Sequence, residues 1–406
     1  MGKMSLYLVI GFSLLYMIVG NNSNRMSTKT IENMADYNAN TVAHNLAVSA
    51  ANLACNEIFL DDTWEKGISK TDFLNGEIQA DLIVVDKVKN VRKLIASGTY
   101  GGVTKTVEVL FQPSKFSKFA YYSMSEGGNI WWTGNDTVWG PFHTQDYMRV
   151  YRHPVFYGKA STKKKLVYYT SKKKDKPRFF GGFEKGVDLP LPTDGLDPMK
   201  TAAKNDGLFF KDKDTVYITF VDDSLKFRFK YSDKDSTVHL PTVAPGGVIF
   251  AEKSILRLKG VVMGQYSVAC SGNKNGEGTI YLDDDIVYKT DPLKNHNSTD
   301  LLGIVAENSV FMTDNVPNHS DINIHGSIYC EDGGFGAENY SSRPVSGNIN
   351  LIGGIIQHTR QAVGTFGSGG IKSGFAKRYK YDERLMLISP PFFPGTGGLE
   401  IVSWYE

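Results

Sequence analysis

The sequence predicts a mainly β protein that begins with one long α-helix. Residues 4–20 contain no charged side chain, and alanines recur at three- and four-residue spacing within residues 28–60. From about residue 61, short runs rich in β-branched and aromatic residues alternate with clusters of Gly, Asn and Asp. The first two patterns are typical of a helix with a membrane-inserting tip, and the third is typical of many short strands with tight turns.

The composition shows no global bias toward nucleic acid, and we predict no specific nucleic-acid recognition. The 406 residues carry 45 Lys and Arg against 43 Asp and Glu, which leaves a net charge of +2. The 41 glycines, 21 tyrosines and 23 phenylalanines favour strands and turns. Cys55, Cys270 and Cys330 have no metal-ligand spacing. Two buried thiols are favoured for Cys270 and Cys330, and a single bridge between them stays open.

The apolar stretch at residues 4–20 is intermediate between a signal-peptide core and a thin membrane anchor. As a helix it would span about 26 Å, close to the roughly 30 Å of a bilayer's hydrocarbon core. The exit at residues 19–22 (VGNN) lacks the small-x-small pattern of a cleavage site, and Ile31, Met34 and Ala35 resume an apolar face. We therefore expect a single-pass anchor in the cell envelope, with the body outside the cytoplasm.

A stripe of small residues follows on the same helix. Such a stripe allows a helix to approach another helix, or a sheet, at short distance. It therefore predicts either packing of the helix on its own domain or bundling with helices of other subunits. The residues of this helix-packing face are Ala39, Ala43, Ala47, Ala50 and Ala54.

This apolar start, continuous with an alanine-rich helix over about residues 1–60, resembles the minor pilins of type IV pili of the PilX type. The resemblance implies contact with the membrane and with other pilin-like subunits, in or beside a pilus. The chain departs from major pilins at one point. Those proteins carry a Glu five residues after a Gly cleavage point, whereas the residues from Gly2 to Leu8 include no acid.

The body is predicted to be a right-handed parallel β-helix-like solenoid. Short apolar strands recur roughly every 20–25 residues with Gly at many corners, as in residues 247–250, 278–282 and 302–306. Stacked rungs have this pattern because each rung buries its inner face only against its neighbours. An antiparallel sandwich is the competing architecture.

A β-hairpin interrupts the series of rungs. Thr215–Val221 and Leu225–Tyr231 alternate with period two around Asp222-Asp223-Ser224, and prolines mark both ends of the segment. We interpret it as an inserted β-arm. The predicted divisions are an anchor and helix at 1–60, a first part of the solenoid at 61–195, the inserted arm at 196–240, further rungs at 241–373 and a C-terminal cap at 374–406.

The body also carries a cluster of aromatic and turn motifs. They are a Trp-Gly-Pro turn at 139–141, a Pro-Val-Phe-Tyr-Gly turn at 154–158 and the ending Ser-Trp-Tyr-Glu at 403–406. Over about residues 120–406 these motifs resemble an uncharacterised family of pilin-associated bacterial surface proteins. The resemblance implies a place at the cell surface and brings no established reaction.

Two carboxylates are the best candidates for catalysis. Asp283 and Asp285 follow a predicted strand, and alternation would direct both to one face, about 7 Å apart. Paired carboxylates serve polysaccharide hydrolases, and acidic turns also bind calcium, but such turns commonly only solvate a rung edge. The histidines have no HExxH or HxH spacing, and no G-x-S-x-G motif is present. We therefore predict no enzyme, no metal and no cofactor.

A basic arm is the candidate contact for an anionic polymer such as a surface polysaccharide. The competing interpretation is a solvated hairpin. Trp131, Trp132 and Trp139 form either a sugar-stacking face or a core cluster. The basic residues of the arm are Lys163, Lys164, Lys165, Lys172, Lys173, Lys174, Lys176 and Arg178.

These patterns together predict a membrane-anchored, extracytoplasmic structural or adhesive protein, as a component or accessory of a pilus-like assembly. The alternative is a carbohydrate-active β-helix enzyme at the cell surface that uses Asp283 and Asp285. A third interpretation is a secreted trimeric fibre, which requires a cleaved signal peptide.

Overall fold

The computed structural model describes residues 2–86, 90–128, 130–134, 136–192, 195–367 and 370–406. The chain divides into two compact units. The first comprises the residues up to Ser114 together with Gly397–Glu406, and the second comprises Lys115–Thr396.

Strands dominate the described chain, with one long helix at its start. The helices are α1 Gly2–Leu60, α2 Asp197–Asp206 and α3 Leu240–Val243. The strands are β1 Ile68–Phe73, β2 Gly76–Asp86, β3 Val91–Tyr100, β4 Val103–Lys115, β5 Tyr121–Ser125, β6 Thr137–Val138, β7 Phe142–Thr144, β8 Met148–Val150, β9 Val155–Phe156, β10 Ala160–Thr162, β11 Leu166–Tyr168, β12 Arg178–Phe179, β13 Phe183–Lys185, β14 Leu208–Lys211, β15 Thr215–Asp222, β16 Ser224–Arg228, β17 Ser236–His239, β18 Val248–Glu252, β19 Ile255–Val262, β20 Gln265–Ser271, β21 Ile280–Tyr288, β22 Leu301–Ala306, β23 Val310–Met312, β24 Ile322–Cys330, β25 Phe335–Ala337, β26 Val345–Thr359, β27 Gly364–Gly367, β28 Gly370–Lys380 and β29 Gly395–Tyr405. The predicted mainly β class with a long N-terminal helix is confirmed.

The first unit packs the second half of α1 on a five-stranded sheet. The strand order is β1-β2-β3-β4-β29, and β1 to β4 are joined by antiparallel pairs. Alternate residues of β3 are buried, including Leu94 and Ala96, because one face of the sheet is covered. Residues 61–114, which the sequence analysis assigned to the solenoid, therefore lie in the same unit as the helix.

The second unit is built on parallel strand pairs. Strands β18, β20, β22 and β24 pair in parallel in that order, and β26 continues the series. The intervening strands β19, β21, β23 and β25 form a parallel series of their own. The competing antiparallel sandwich is therefore wrong for these strands, while the right-handed solenoid stays a prediction.

The hairpin predicted at residues 215–231 is confirmed. Strands β15 and β16 are antiparallel, with Tyr217 opposite Arg228. However, β15 also pairs in parallel with β19 along its whole length, from Thr215 to Asp222. The interpretation of a separate inserted arm needs correction for β15, because the edge of this strand that does not face β16 is hydrogen-bonded to β19 of the body.

The cysteines are free thiols. Cys270 lies beside Ala306 in the parallel register, and Ala306 lies beside Cys330. The two cysteines are therefore two strands apart, which corresponds to about 9.5 Å, beyond the reach of a disulfide. Burial raises the pKa of Cys330 to about 12 and also raises that of Cys270. The possible bridge between them is excluded by the register.

The predicted C-terminal cap divides between the two units. Residues of β28 continue the second unit, because β28 pairs in parallel with β26. Residues 397–406 belong to the first unit, where β29 lies next to β4.

Candidate functional site

The first half of α1 is a bare helix. Every residue from Gly2 to Asn38 is exposed, including Leu8, Phe12 and Leu14 at 60%, 56% and 55%. At 1.5 Å per residue these 37 residues extend about 55 Å. Among the described residues, α1 alone is long and apolar enough to cross a membrane, although a signal sequence would meet the same criterion.

The alanine face lies on the second half of α1. Ala43, Ala47, Ala50 and Ala54 are fully buried, and Ala39 is half-buried at the edge of the contact. The four buried alanines from Ala47 onward, which include Ala51, belong to one apolar cluster with the strands of the first unit, including Leu94 and Val107. The sheet of the chain itself therefore covers this face.

A glycine in the sheet explains why the contact requires small residues. A Cβ added at Gly98 in β3 would collide with the backbone at Ala43 and Ala47. The helix and the strand thus touch backbone to backbone at this point. Alanine on one side and glycine on the other are the residues that permit such an approach.

The predicted acidic pair is engaged in two separate sets of contacts. Arg257 donates from Nε and Nη2 to the two carboxylate oxygens of Asp283 at 2.9 and 2.6 Å, and Thr313 Oγ1 donates to Asp283 at 2.7 Å. Asp285 accepts from the backbone N–H and the side-chain amide of Asn323, both at 2.8 Å. The register between β19 and β21 shifts at this point, so the strand alternation assumed for the pair is interrupted.

The first half of the basic arm is largely neutralised. Lys163 Nζ lies 2.8 Å from Asp188 Oδ2, and Lys164 Nζ lies 2.8 Å from Asp146 Oδ1. Burial alone would raise the pKa of Asp146, but Lys164 and two backbone N–H groups outweigh it and lower the pKa. Lys165 lies over the Tyr147 ring at 5.9 Å.

The second half of the arm remains free of ion pairs in the described part of the chain. Its five cations are all exposed, and they are Lys172, Lys173, Lys174, Lys176 and Arg178. Between them the buried Asp175 accepts from the backbone N–H groups of Arg152, Thr170 and Ser171 and fixes the turn. The arm is not a hairpin, because β11 at its centre pairs in parallel with β8.

The three predicted tryptophans do not form one surface. Trp132 is buried and donates from Nε1 to Glu126 at 3.1 Å. Trp131 packs edge-on against Tyr169, whereas Trp139 is 44% exposed and stacks on Tyr157 at 6.1 Å. Of the two interpretations of these tryptophans, burial in the core therefore applies to Trp132 only.

Sequence reasoning missed a buried ion pair in the second unit. Glu126 and Arg360 are both buried and are joined at 2.8 Å, although 234 residues separate them. The Arg360 guanidinium also lies over the Trp132 ring at 4.1 Å. Burial, with the nearby charge of Arg360, lowers the pKa of Lys377 to about 8. No local pattern marks such a pair.

A cavity on the outer face of β15 and β19 was also missed. It encloses about 310 Å³ and is lined by Tyr217, Arg228, Tyr231, Arg257, Lys259 and Asp283, among others. The alternation of charged and apolar residues at 256–259 (LRLK) and 225–228 (LKFR) could have indicated it. Among the described residues, no group of three or more His, Cys, Asp or Glu side chains could hold a metal ion.

Comparison with known proteins gives little. No family model matches the chain, and no curated protein matches it. Among solved structures it is similar to the competence-associated pilin ComZ from Thermus thermophilus, at 13% identity and a TM-score of 0.38, over 90% of this chain and 97% of that chain. A likeness at this identity and TM-score establishes neither the fold nor the function of this chain.

Proposed function

We propose that the protein is a membrane-anchored, extracytoplasmic structural component that assembles with other pilin-like subunits. The observation that carries this proposal is the contrast along α1. Large apolar side chains are exposed from Met4 to Val19, whereas the alanine face from Ala43 onward is buried. A soluble domain rarely leaves such a contiguous apolar surface uncovered.

A lipid bilayer is the environment that best matches the apolar tip of α1, residues 2–20. Residues 2–20 as a helix span about 28 Å, close to the roughly 30 Å hydrocarbon core. The helix satisfies its own backbone hydrogen bonds, as a membrane-spanning segment must. Arg25 and Lys29 follow the tip and suit the interface.

Partner subunits would contact the bare part of the helix. The sheet of the first unit covers the alanine face, so this face is not available to a partner subunit. The covered residues are Ala43, Ala47, Ala50 and Ala54. Beyond the tip, Met26, Ile31 and Met34 are each at least 68% exposed. These residues give a neighbouring helix an apolar surface outside the bilayer.

An adhesive role is the finer part of the proposal. Five cations at residues 172–178 surround one buried carboxylate, Asp175, and make no ion pair with a described residue. Such a patch attracts an anionic polymer through its summed charge, without recognising a sequence or a particular sugar. The carbohydrate-active alternative has less support, since Asp283 and Asp285 are each held by other residues.

The anchor is tested by Leu14→Arg in the native cells. An arginine in place of a leucine at the centre of a membrane helix costs about 3 kcal/mol, or roughly a hundredfold in partitioning. We expect the wild type to stay in the membrane fraction after a carbonate wash and the variant to be released or degraded.

The matched control is Asn52→Arg, at an exposed position on the same helix within the first unit. It should fractionate as the wild type does. Release of the wild type, or equal behaviour of Leu14→Arg and Asn52→Arg, contradicts the anchor.

We also propose that the second unit is a parallel β-helix-like solenoid. Its support is an inward column of matched residues, in which Ile249, Val268, Ile304, Ile328 and Ile355 follow one another in register. Stacking of identical positions on successive strands is the repeating contact of a solenoid.

The stacking predicts a disulfide that the wild type cannot form. Ala306→Cys puts a thiol one strand, about 4.8 Å, from both Cys270 and Cys330, within disulfide reach. After mild oxidation we expect two free thiols in denaturant instead of four. Ala269→Cys is equally buried but lies between Phe250 and Val305, so it should keep four. Four free thiols in both variants would contradict the stacking.

A further inference from the structure

The cavity on the outer face of β15, β16 and β19 has the size of a small ligand site. Its volume of about 310 Å³ is at the lower end of the roughly 300–1,000 Å³ of ligand pockets. A group the size of a sugar unit suits it better than an extended chain.

Two tyrosines give the cavity an aromatic wall. The rings of Tyr217 and Tyr231 lie 6.1 Å apart at an angle of 66°, and Tyr231 is 80% exposed. The guanidinium of Arg228 lies over both rings, at 5.1 and 5.3 Å. An exposed ring held in this way offers its apolar face to the C–H face of a pyranose, and its hydroxyl to hydrogen bonds.

The charges of the cavity leave one excess cation. Arg257 is matched by Asp283 and Arg228 by Asp235, at 2.6 and 2.9 Å. Lys259 is exposed and has no ion pair with any described residue. In addition, Nε of Arg228 is buried without a hydrogen-bond partner in the described structure.

This balance favours a single negative charge on the ligand. A carboxylate would pair with Lys259, whereas a doubly charged phosphate would leave one negative charge unpaired in a cavity that also contains the carboxylate of Asp283. Thr219 and Asn315 add polar groups to the wall. The Asn315 amide is held in place, because it donates to the Asp283 carbonyl at 2.8 Å and accepts from Asn318 N–H at 3.1 Å.

We propose that this cavity binds a carboxylated sugar unit of an acidic polysaccharide. Tyr231 stacks on the ring, Tyr217 borders it edge-on, Lys259 pairs with the carboxylate, and Thr219 contacts hydroxyl groups. The site gives the adhesive role a ligand class and rests on that part of the proposed function. It shares no residue with α1 or with the basic arm, so its test and the test of the anchor fail separately.

The experiment is calorimetric titration of the full chain in a polyoxyethylene detergent, because maltoside detergents carry sugar headgroups. The probes are a galacturonic acid tetramer and the neutral galactose tetramer of the same linkage. We expect saturable binding of the acidic tetramer, at least tenfold tighter than that of the neutral one.

Two exposed substitutions locate the binding. Tyr231→Ala and Lys259→Gln should each weaken binding of the acidic tetramer at least fivefold. Their controls, Tyr405→Ala and Lys274→Gln, are exposed residues of the same types outside the cavity and should bind as the wild type does.

A third variant separates the cavity from the basic arm. With Lys172, Lys173 and Lys174 all changed to Gln, binding of the acidic tetramer should persist. The proposal is overturned if the wild type shows no saturable binding, if both tetramers bind equally, or if only the arm variant loses binding.

Discussion

The interiors of the two units are stabilised by different kinds of contact. In the first, α1 lies on its sheet through alanine and glycine, and ion pairs such as Lys70 with Glu77 and Lys93 with Glu108 have side chains that are at least 35% exposed. In the second, Glu126 and Arg360 are buried together beneath aromatic rings. The comparison teaches that the first interior is specified by local spacing, whereas the second depends on residues far apart in the chain.

The largest expected effect comes from breaking the buried pair. Arg360→Leu leaves Glu126 buried without its counter-charge, which costs about 3–5 kcal/mol. We expect this loss of stability in amide hydrogen exchange of peptides from residues 115–396, while peptides from residues 61–114 change little.

Two controls sharpen this prediction. Lys70→Ala breaks an exposed pair in the first unit and should cost at most about 1 kcal/mol. The double variant Glu126→Leu with Arg360→Leu should recover most of the loss, since no charge stays buried alone. The comparison fails if Arg360→Leu costs no more than Lys70→Ala.

A smaller effect is expected at the helix–sheet contact. Gly98→Ala places a Cβ against the backbone of α1, and overpacking of this kind typically costs about 1–3 kcal/mol. Faster hydrogen exchange should appear in peptides of α1 after Ala43 and in β3, with the second unit unchanged.

Gly20→Ala is the matched control for this substitution. Nothing lies within 4 Å of a Cβ at Gly20, so the alanine should leave the exchange of the first unit unchanged and favour the helix slightly. Equal effects of the two substitutions would show that the close approach at Gly98 contributes nothing to stability.

The helix was predictable because its signals are local. The uncharged stretch at residues 4–20 and the alanine spacing both lie within a few turns of one element. The sequence left open whether the alanines face the chain itself or a partner, because Gly98, which lies against Ala43 and Ala47, is more than fifty residues away from both.

The parallel strands and the candidate sites were only partly predictable. Regular apolar runs with glycine corners indicated stacked strands, but β15 was assigned to a separate arm because its alternation fits a hairpin equally well. The sequence analysis paired Asp283 with Asp285, whereas the ion-pair partner of Asp283 is Arg257 on the neighbouring strand. Contacts between strands depend on the register, which the spacing of residues along the chain does not determine.

The central claim is that residues 2–20 stay attached as an anchor. Its most direct test is the intact mass of the protein extracted with detergent from its native cells. We predict a mass that retains the apolar segment, to within a few residues of its start. A mass that corresponds to a cut near Gly20 would contradict the anchor and identify the segment as a signal peptide.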